Sequence, residues 1–243
     1  TKAMIPFLLY KLFRKYLKKN NISAIQFRQY LKNAAKVLLP IILCLLLLKT
    51  VAQQSTYEYD VIKNNKMIGR TVVTGTKSTG KVTYKVSAEI KVSFIKDFKA
   101  VSEEETVFEN GVMVSSFFSR SLNGDVKGKR NTRLIDSVYQ IIENGNKSLH
   151  KLGKINLTIS SLYLNEPLNT NRIYSDNHRQ WLKLTQIKLH SYRLDLPDGN
   201  HTLYHFENGI CVSIDIYQTF FTARLILNNK DQARMNIPIS SSY

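Results

Sequence analysis

From Thr56 onward, hydrophobic and polar residues alternate with a period of two. The clearest stretch is residues 81–94, where Val82, Tyr84, Val86, Ala88, Ile90, Val92 and Phe94 share one face. Lys81, Thr83, Lys85, Ser87, Glu89, Lys91 and Ser93 share the other. Such alternation marks a strand with one buried and one solvated face. At about 3.3 Å per residue it would run roughly 46 Å, longer than common strands, so the pattern predicts a strongly curved or bulged strand. Tyr192, Leu194 and Leu196 alternate with Arg193 and Asp195. Ile210, Val212, Ile214 and Ile216 alternate with Cys211, Ser213, Asp215 and Tyr217.

Turn signals separate these runs. Asn64-Asn65, Asn110-Gly111, Asn123-Gly124, Asn144-Gly145, Asp198-Gly199 and Asn208-Gly209 each lie between strand-like segments. Asn-Gly and Asp-Gly accept the positive φ angles of tight hairpins, and so many in succession describe an antiparallel meander. A weak internal echo accompanies them: Val107–Val114 (VFENGVMV) resembles His205–Val212 (HFENGICV), with a partial third copy at Ile142–Gly145. Equivalent hairpins in two halves of a curved sheet would produce it, and so would convergence on a favourable turn. Alternation breaks between Ile155 and Asn177. Residues 155–165 suit one or two helical turns or a crossover, ended by Glu166-Pro167, because proline disfavours a helical residue before it. The predicted fold is all-β: a long, strongly curved antiparallel meander over 56–228 forming a half-barrel or β-roll, preceded by a signal-peptide helix. The tail Asn229–Tyr243 reads as irregular or as an edge.

The amino-terminal quarter obeys a different grammar. Val37–Leu48 is an unbroken apolar run of 12 residues flanked by Lys36 and Lys49. That is the length of a secretory h-region, about 7–15 residues, and short of the roughly 20 that span a bilayer. Thr50 and Ala52 supply the small residues for cleavage between Ala52 and Gln53. Cys44 lies inside the apolar run, away from a lipoprotein attachment position. Residues 1–36 form a basic extension with two open readings. They are an upstream extension of the reading frame, or Ile5–Leu17 is a basic amphipathic helix on an anionic membrane surface. The domain plan is therefore 1–36 extension, 37–52 signal core and cleavage region, and 53–243 a single β domain. Expected localisation is export to the periplasm or cell envelope of a Gram-negative bacterium; if 1–52 is retained, the protein is anchored in the inner membrane by this segment alone.

Setting aside residues 1–52 changes the charge and cysteine arguments. The chain carries +17 overall, with 35 Lys+Arg and 18 Asp+Glu. Ten of those bases and no acid fall in 1–52, leaving +7 on the remainder. A charge of +17 would suggest nucleic acid; +7 on an exported domain suggests solubility, and no nucleic-acid partner is expected. Of two cysteines only Cys211 remains, which excludes an internal disulfide and places a small side chain in a strand.

The segments Tyr59–Gly69 (YDVIKNNKMIG), Val107–Val112, Ser161–Pro167, Tyr174–Asn177, Leu196–Asn200 and Tyr204–Gly209 together resemble a family of exported β-rich Bacteroidota proteins assigned to a domain of unknown function. The resemblance covers about 56–228. It implies an envelope protein with a curved antiparallel sheet, and it brings no activity, cofactor or site residues.

Candidate chemistry is sparse. His201 and His205 stand about 13 Å apart if they lie on a strand, too far to share an ion, and no zinc, nucleophile-elbow or phosphate-loop spacing occurs. No metal and no cofactor is expected. Glu103 and Glu105 share a strand face and read as a solvated surface paired to lysines of a neighbouring strand. The remaining constellation is Tyr163, Glu166, Tyr174, Asp176 and Trp181, with His178 nearby. These aromatics and carboxylates surround the longest segment without alternation and are the candidate ligand-binding residues. The leading expectation is a non-enzymatic envelope protein holding a lipid or other hydrophobic ligand against its concave apolar face, which must be covered by something. A structural protein that fills its own groove and pairs with an envelope partner through an edge strand is the alternative. A hydrolase built on Glu166 and Asp176 is a third.

Overall fold

The computed structural model describes residues 52–93, 97–219 and 221–235, with residues 29, 32, 33 and 36 as isolated helical positions. The hydrophobic run at 37–48 lies outside the described residues. Contacts divide the chain at Val51/Ala52, and the second unit, Ala52–Tyr243, carries the sheet. Among the described residues, no helix is long and apolar enough to cross a membrane.

Fourteen strands follow one another: β1 (Gln53–Lys63), β2 (Lys66–Ser78), β3 (Lys81–Ser93), β4 (Asp97–Glu109), β5 (Val112–Leu122), β6 (Asp125–Ile135), β7 (Val138–Glu143) and β8 (Asn146–His150), then β9 (Arg172–Ser175), β10 (Gln180–Lys188), β11 (Ser191–Asp195), β12 (His201–Glu207), β13 (Ile210–Gln218) and β14 (Phe221–Leu227). A one-turn helix α1 (Ile159–Leu162) lies between β8 and β9, and α2 (Asn229–Arg234) follows β14. All fourteen form a single antiparallel sheet in the order β8-β7-β6-β5-β4-β3-β2-β1-β14-β13-β12-β11-β10-β9. Every neighbour is also a sequence neighbour except β1 and β14, which join the two halves in the middle of the sheet. The expected meander is thus present as an unclosed half-barrel whose end strands are β8 and β9, the latter meeting the crossover through a parallel bridge between Thr158 and Tyr174.

Local sequence explains the hairpins. Asn64-Asn65, Asn110-Gly111, Asn123-Gly124, Asn144-Gly145 and Asn208-Gly209 all have positive φ at both central positions, the type I′ geometry that matches strand twist. Asp198-Gly199 departs from this: only Gly199 has positive φ (84°), within a longer 196–200 loop. The alternation in β3 puts Tyr84 and Val86 in the core and Lys81, Lys85, Ser87, Glu89 and Lys91 in solvent; Phe94 lies outside the described residues. Lys85 pairs with Glu105 across strands at 2.8 Å, the expected surface pairing.

Two expectations need correction. The tail is not an edge at its start: Asn228 caps α2 by accepting from the Asp231 N–H (2.9 Å), and Asp231 accepts from the Glu58 N–H of β1 (2.8 Å). In β13 the face assignment also changes. The register shifts between His205 and Phe206, so that Phe206 faces Cys211 and His205 faces Ser213. This bulge turns Cys211 to the core side with Ile214, where it is fully buried.

The concave side is closed at one end by residues 151–171, which link the free edges. Strand directions place the turns β2–β3, β4–β5 and β12–β13 at that end, and the turns β3–β4, β5–β6, β9–β10, β11–β12 and β13–β14 at the other. The crossover plugs the first end. Ile155 is buried with Tyr84, Phe108, Met113 and Tyr139 of the first half, while Leu162 is buried with Tyr59 and Val73 of the first half and Leu194 and Ile214 of the second. Thr106 on β4 exchanges a hydrogen bond with Ser160 at 2.9 Å. Gly75 on β2 admits the plug's Leu164, since a Cβ there would lie 2.5 Å from Leu164 Cδ1. Residues 155–165 are therefore both readings at once, a crossover containing a single helical turn.

The internal echo has a structural counterpart. The β4–β5 and β12–β13 hairpins carry the same bulge, between Val107 and Phe108 and between His205 and Phe206. In each, the first core residue after the turn donates its N–H to the plug: Met113 to the Ile155 carbonyl (2.7 Å) and Cys211 to the Tyr163 carbonyl (3.1 Å). The carbonyl of the same residue accepts from a tyrosine two strands away, Tyr139 for Met113 (2.9 Å) and Tyr59 for Cys211 (2.7 Å). Edge-on ring pairs repeat as well, Tyr84 with Phe108 and Tyr192 with Phe206. Consecutive plug residues bind their phenols, Asn165 at Tyr84 and Glu166 at Tyr192, both at 2.8 Å. The two halves grip one plug in equivalent ways.

Candidate functional site: a chamber at the open end

Opposite the plug, the half-barrel is hollow. A chamber of about 310 Å³ lies between β3–β5 on one side and β9 and β11–β13 on the other, with Ile159 of α1 as part of its floor. It continues into a wider mouth of about 690 Å³, the two sharing Arg120, Asn177, His178, Leu196, Ile216 and Gln218. The deeper walls are mainly apolar, with Ala88, Ile90, Phe118 and Leu194, while the mouth gains Asp198, Asn200 and Thr219. An apolar recess with a few polar groups at its ends is the usual form of a small-molecule site.

One residue is out of keeping with that lining. Glu104 projects inward from β4 between Ser102 and Thr106, and it makes no hydrogen bond among the described residues. Burial pushes its carboxyl up to about 7, and the nearby charge of Asp176 adds to the shift. The alternation that exposes Glu103 and pairs Glu105 with Lys85 necessarily sends Glu104 inside; the run of three glutamates hid this, because acidic runs read as surface.

The open seam between β8 and β9 is bridged by polar contacts. Asp176, in the β9–β10 turn, accepts from Ser116 Oγ (2.8 Å) and Thr132 Oγ1 (3.2 Å), while its backbone carbonyl accepts from Arg130. Arg130 also pairs with Glu143 on β7, which in turn holds Arg179 at 2.8 Å. Burial raises the Asp176 carboxyl, opposed by the Ser116 bond, the Arg130 charge and the Thr132 bond. Hydrogen bonding from Arg130 holds Glu143 below the usual carboxylate range. Trp181 donates to the Leu152 carbonyl (3.1 Å) and lies under the Arg172 guanidinium (4.5 Å). Tyr174 is fully buried against Trp181, and its hydroxyl is buried without a partner among the described residues.

The five residues singled out from sequence therefore separate. Asp176, Tyr174 and Trp181 lie along the seam. Glu166 sits at the plugged end, its side chain nearly buried, bonded to Tyr192 and to His190 (3.0 Å). Glu166 and Asp176 are at opposite ends of the half-barrel and do not converge on one point. Tyr163 is on the plug, its ring edge-on to Tyr59, and burial raises its phenol further from ionisation, with Glu104 contributing. Ala52 is exposed and Gln53 opens β1. Sequence reasoning missed Glu104, Arg120 and Tyr204; the inward phase of β4 was the available signal for the first.

A family model, "Domain of unknown function (DUF6134)", matches residues 59–228. The chain belongs to the DUF6134 family. The matched range runs from within β1 to just beyond β14, so the DUF6134 unit contains chamber, plug and seam together. No match is found among curated proteins. Among solved structures, this DUF6134 protein is similar to a beta-barrel-like protein of a domain of unknown function, DUF1849, from Brucella abortus, at 10% identity and a TM-score of 0.46, covering 74% of this chain and 97% of that one.

The outer face of the DUF6134 sheet carries one arrangement that imitates catalytic machinery. Ser191 meets His205 Nδ1 at 3.1 Å, and His205 Nε2 meets Asp215 at 3.3 Å. Arg224 also pairs with Asp215, and against the opposing effect of burial the hydrogen bonds from His205 and Arg224 hold the carboxyl below its usual range. These residues sit on adjacent strands β11–β14 of the sheet. The chain is a cross-strand polar ladder.

Proposed function

We propose that this protein is a non-enzymatic, exported binding protein that holds a lipid or other hydrophobic ligand in the open chamber of its half-barrel. The observation that carries the reading is the hollow itself. The plug fills the concave face at one end, while at the other apolar side chains of both halves face an open volume within the range of ligand sites. Ligand contacts fall to the chamber walls, with Tyr163 behind them on the plug and Asp176, Tyr174 and Trp181 holding the seam shut. The apolar 37–48 segment and the start of β1 at Gln53 support cleavage after Ala52 and placement in the envelope of a Gram-negative bacterium.

Two measurements test this. Native mass spectrometry of protein purified from its host should show a lipid-sized adduct. Nile red should fluoresce on binding, and an Ala88→Phe substitution, which fills the wall, should abolish the signal without unfolding the protein. A clean mass in repeated preparations together with unaltered dye binding in the variant would sink the carrier reading. N-terminal sequencing that finds Thr1 instead of Gln53 on the mature protein would overturn the export step.

A second reading is favoured by β8. Among the described residues it pairs with β7 only, and Leu149 is 67% exposed on it. An envelope protein adding a strand there would bury that edge. Loss of a co-purifying partner on Ser148→Pro substitution is the expected result.

A further inference from the structure

Two polar groups without hydrogen-bond partners line the chamber, and a third lies within electrostatic reach of them. Besides Glu104, the hydroxyls of Tyr204 on β12 and Tyr163 on the plug make no hydrogen bond among the described residues. Tyr204 is only 4% exposed, yet it lines the chamber. Burial keeps both phenols neutral, and the Glu104 charge adds to the effect on each, which places the three groups within electrostatic reach of one another. The oxygens of Glu104 and Tyr204 are reached from the chamber, where a ligand group can take the place of water. Two such oxygens on the chamber wall, with the Tyr163 phenol close behind, offer acceptors to an incoming donor.

We propose that Glu104, Tyr204 and Tyr163 form a receptor for the amine end of a single-chain amphiphile, which enters ammonium-first and leaves its hydrocarbon against the chamber walls. This inference rests on the chamber being a ligand site and names the class of ligand. The match is one of number and sign. A primary ammonium offers three donors and no acceptor, against one carboxylate and two phenolic oxygens. Asp176, in the seam, lies close enough to raise Glu104, so a second carboxyl within electrostatic reach disfavours an anionic group beside it. The cations lining the cavity, Arg120 and His178, stand at the level shared with the mouth, and burial lowers the charging of His178. Arg130 is engaged by the Asp176 carbonyl and Glu143. A free fatty acid would have to place its carboxylate at the mouth, with bare methyl groups against Glu104.

The arrangement has a pH signature. Glu104 titrates near 7, whereas a primary amine stays charged to about pH 10. Affinity for the amine therefore rises as pH increases through 7 and levels off once Glu104 is ionised. An uncharged alcohol of the same length lacks this dependence.

Calorimetric titration of the full-length protein with octylamine, octanol and octanoate separates the possibilities. At pH 8 octylamine should bind about tenfold or more tighter than octanol or octanoate, the worth of a hydrogen bond to a charged group. Glu104→Gln should remove that preference and flatten the pH profile, leaving octanol affinity within about twofold. Tyr204→Phe should weaken octylamine by a smaller factor. Octanol binding with no preference for the amine, or a preference that survives Glu104→Gln, would overturn the receptor and leave the chamber as a hydrophobic site. Failure of all three ligands and of Nile red would overturn both readings.

Discussion

At the scale of single residues, function and stability meet in polar groups held inside an apolar sheet. Tyr59 and Tyr139 are both fully buried and spend their hydroxyls on the carbonyls of Cys211 and Met113, tying each bulge to a strand two places away. Phenylalanine at either position leaves a buried carbonyl short of its donor. Tyr59→Phe and Tyr139→Phe should each cost about 1–3 kcal/mol, measured by urea denaturation; equal stability of variant and parent would show that the bulges hold without the tyrosines. Glu104 acts in the opposite direction. Its folded pKa, near 7, lies above the ordinary value of 4.5, so the fold retains a proton that the unfolded chain releases. The associated stability is complete below pH 4.5 and is lost as pH rises through 7. Asp176, also raised by burial, has the same sign. Protein at pH 8 should be less stable than at pH 5, and Glu104→Gln should recover about 1–3 kcal/mol of that loss. An unchanged difference in urea midpoint between the two pH values would place the titrating group elsewhere.

At the scale of elements, the plug is the piece on which both halves depend. Its four-residue helix is too short to be stable alone. It persists because Ser161 closes the turn against Thr158 (2.6 Å) and because Leu162 is fully enclosed by the sheet. Leu162→Ala should destabilise the protein by about 2–5 kcal/mol through the cavity it leaves. Hydrogen exchange should then show the amides of Met113 and Cys211, which donate to the plug, losing protection together. Loss at only one of them would mean that the two halves hold the plug independently. The hairpins required no such cooperation. Asn-Gly at four turns set positive φ locally, and those turns were legible in the sequence. The bulges were not, because a register shift depends on what the strand faces, and VFENGVMV reads as plain alternation until Met113 must reach the plug.

At the scale of the whole molecule, the sheet is open, and its closure is polar. Asp176, Arg130, Glu143 and Arg179 reach over the β8–β9 seam where no strand pairing exists. Arg130 is almost wholly buried, so deleting its partner strands a charge. Glu143→Ala should loosen the seam and raise hydrogen exchange in β9 and β10 before global unfolding, with little change in β2–β4. Uniform exchange throughout would mean that the seam opens only with the whole sheet. A seam that yields first would also make the chamber adjustable in width, as a site for flexible ligands requires.

Period-two alternation and Asn-Gly turns determined that this chain is an antiparallel meander, because both are decided within a few residues of backbone and side chain. They also made the interior of β4 computable in principle, since Glu103 and Glu105 outside forces Glu104 inside. Which residues the sheet brings together was decided only by closure. Asp176 and Glu166, ten residues apart in sequence, are carried to opposite ends by the crossover and the turns around it. Glu104 and Tyr204, a hundred positions apart, line one chamber because β1 joins β14 and brings the two halves face to face. Distances of that kind depend on long-range pairing, which no local pattern records.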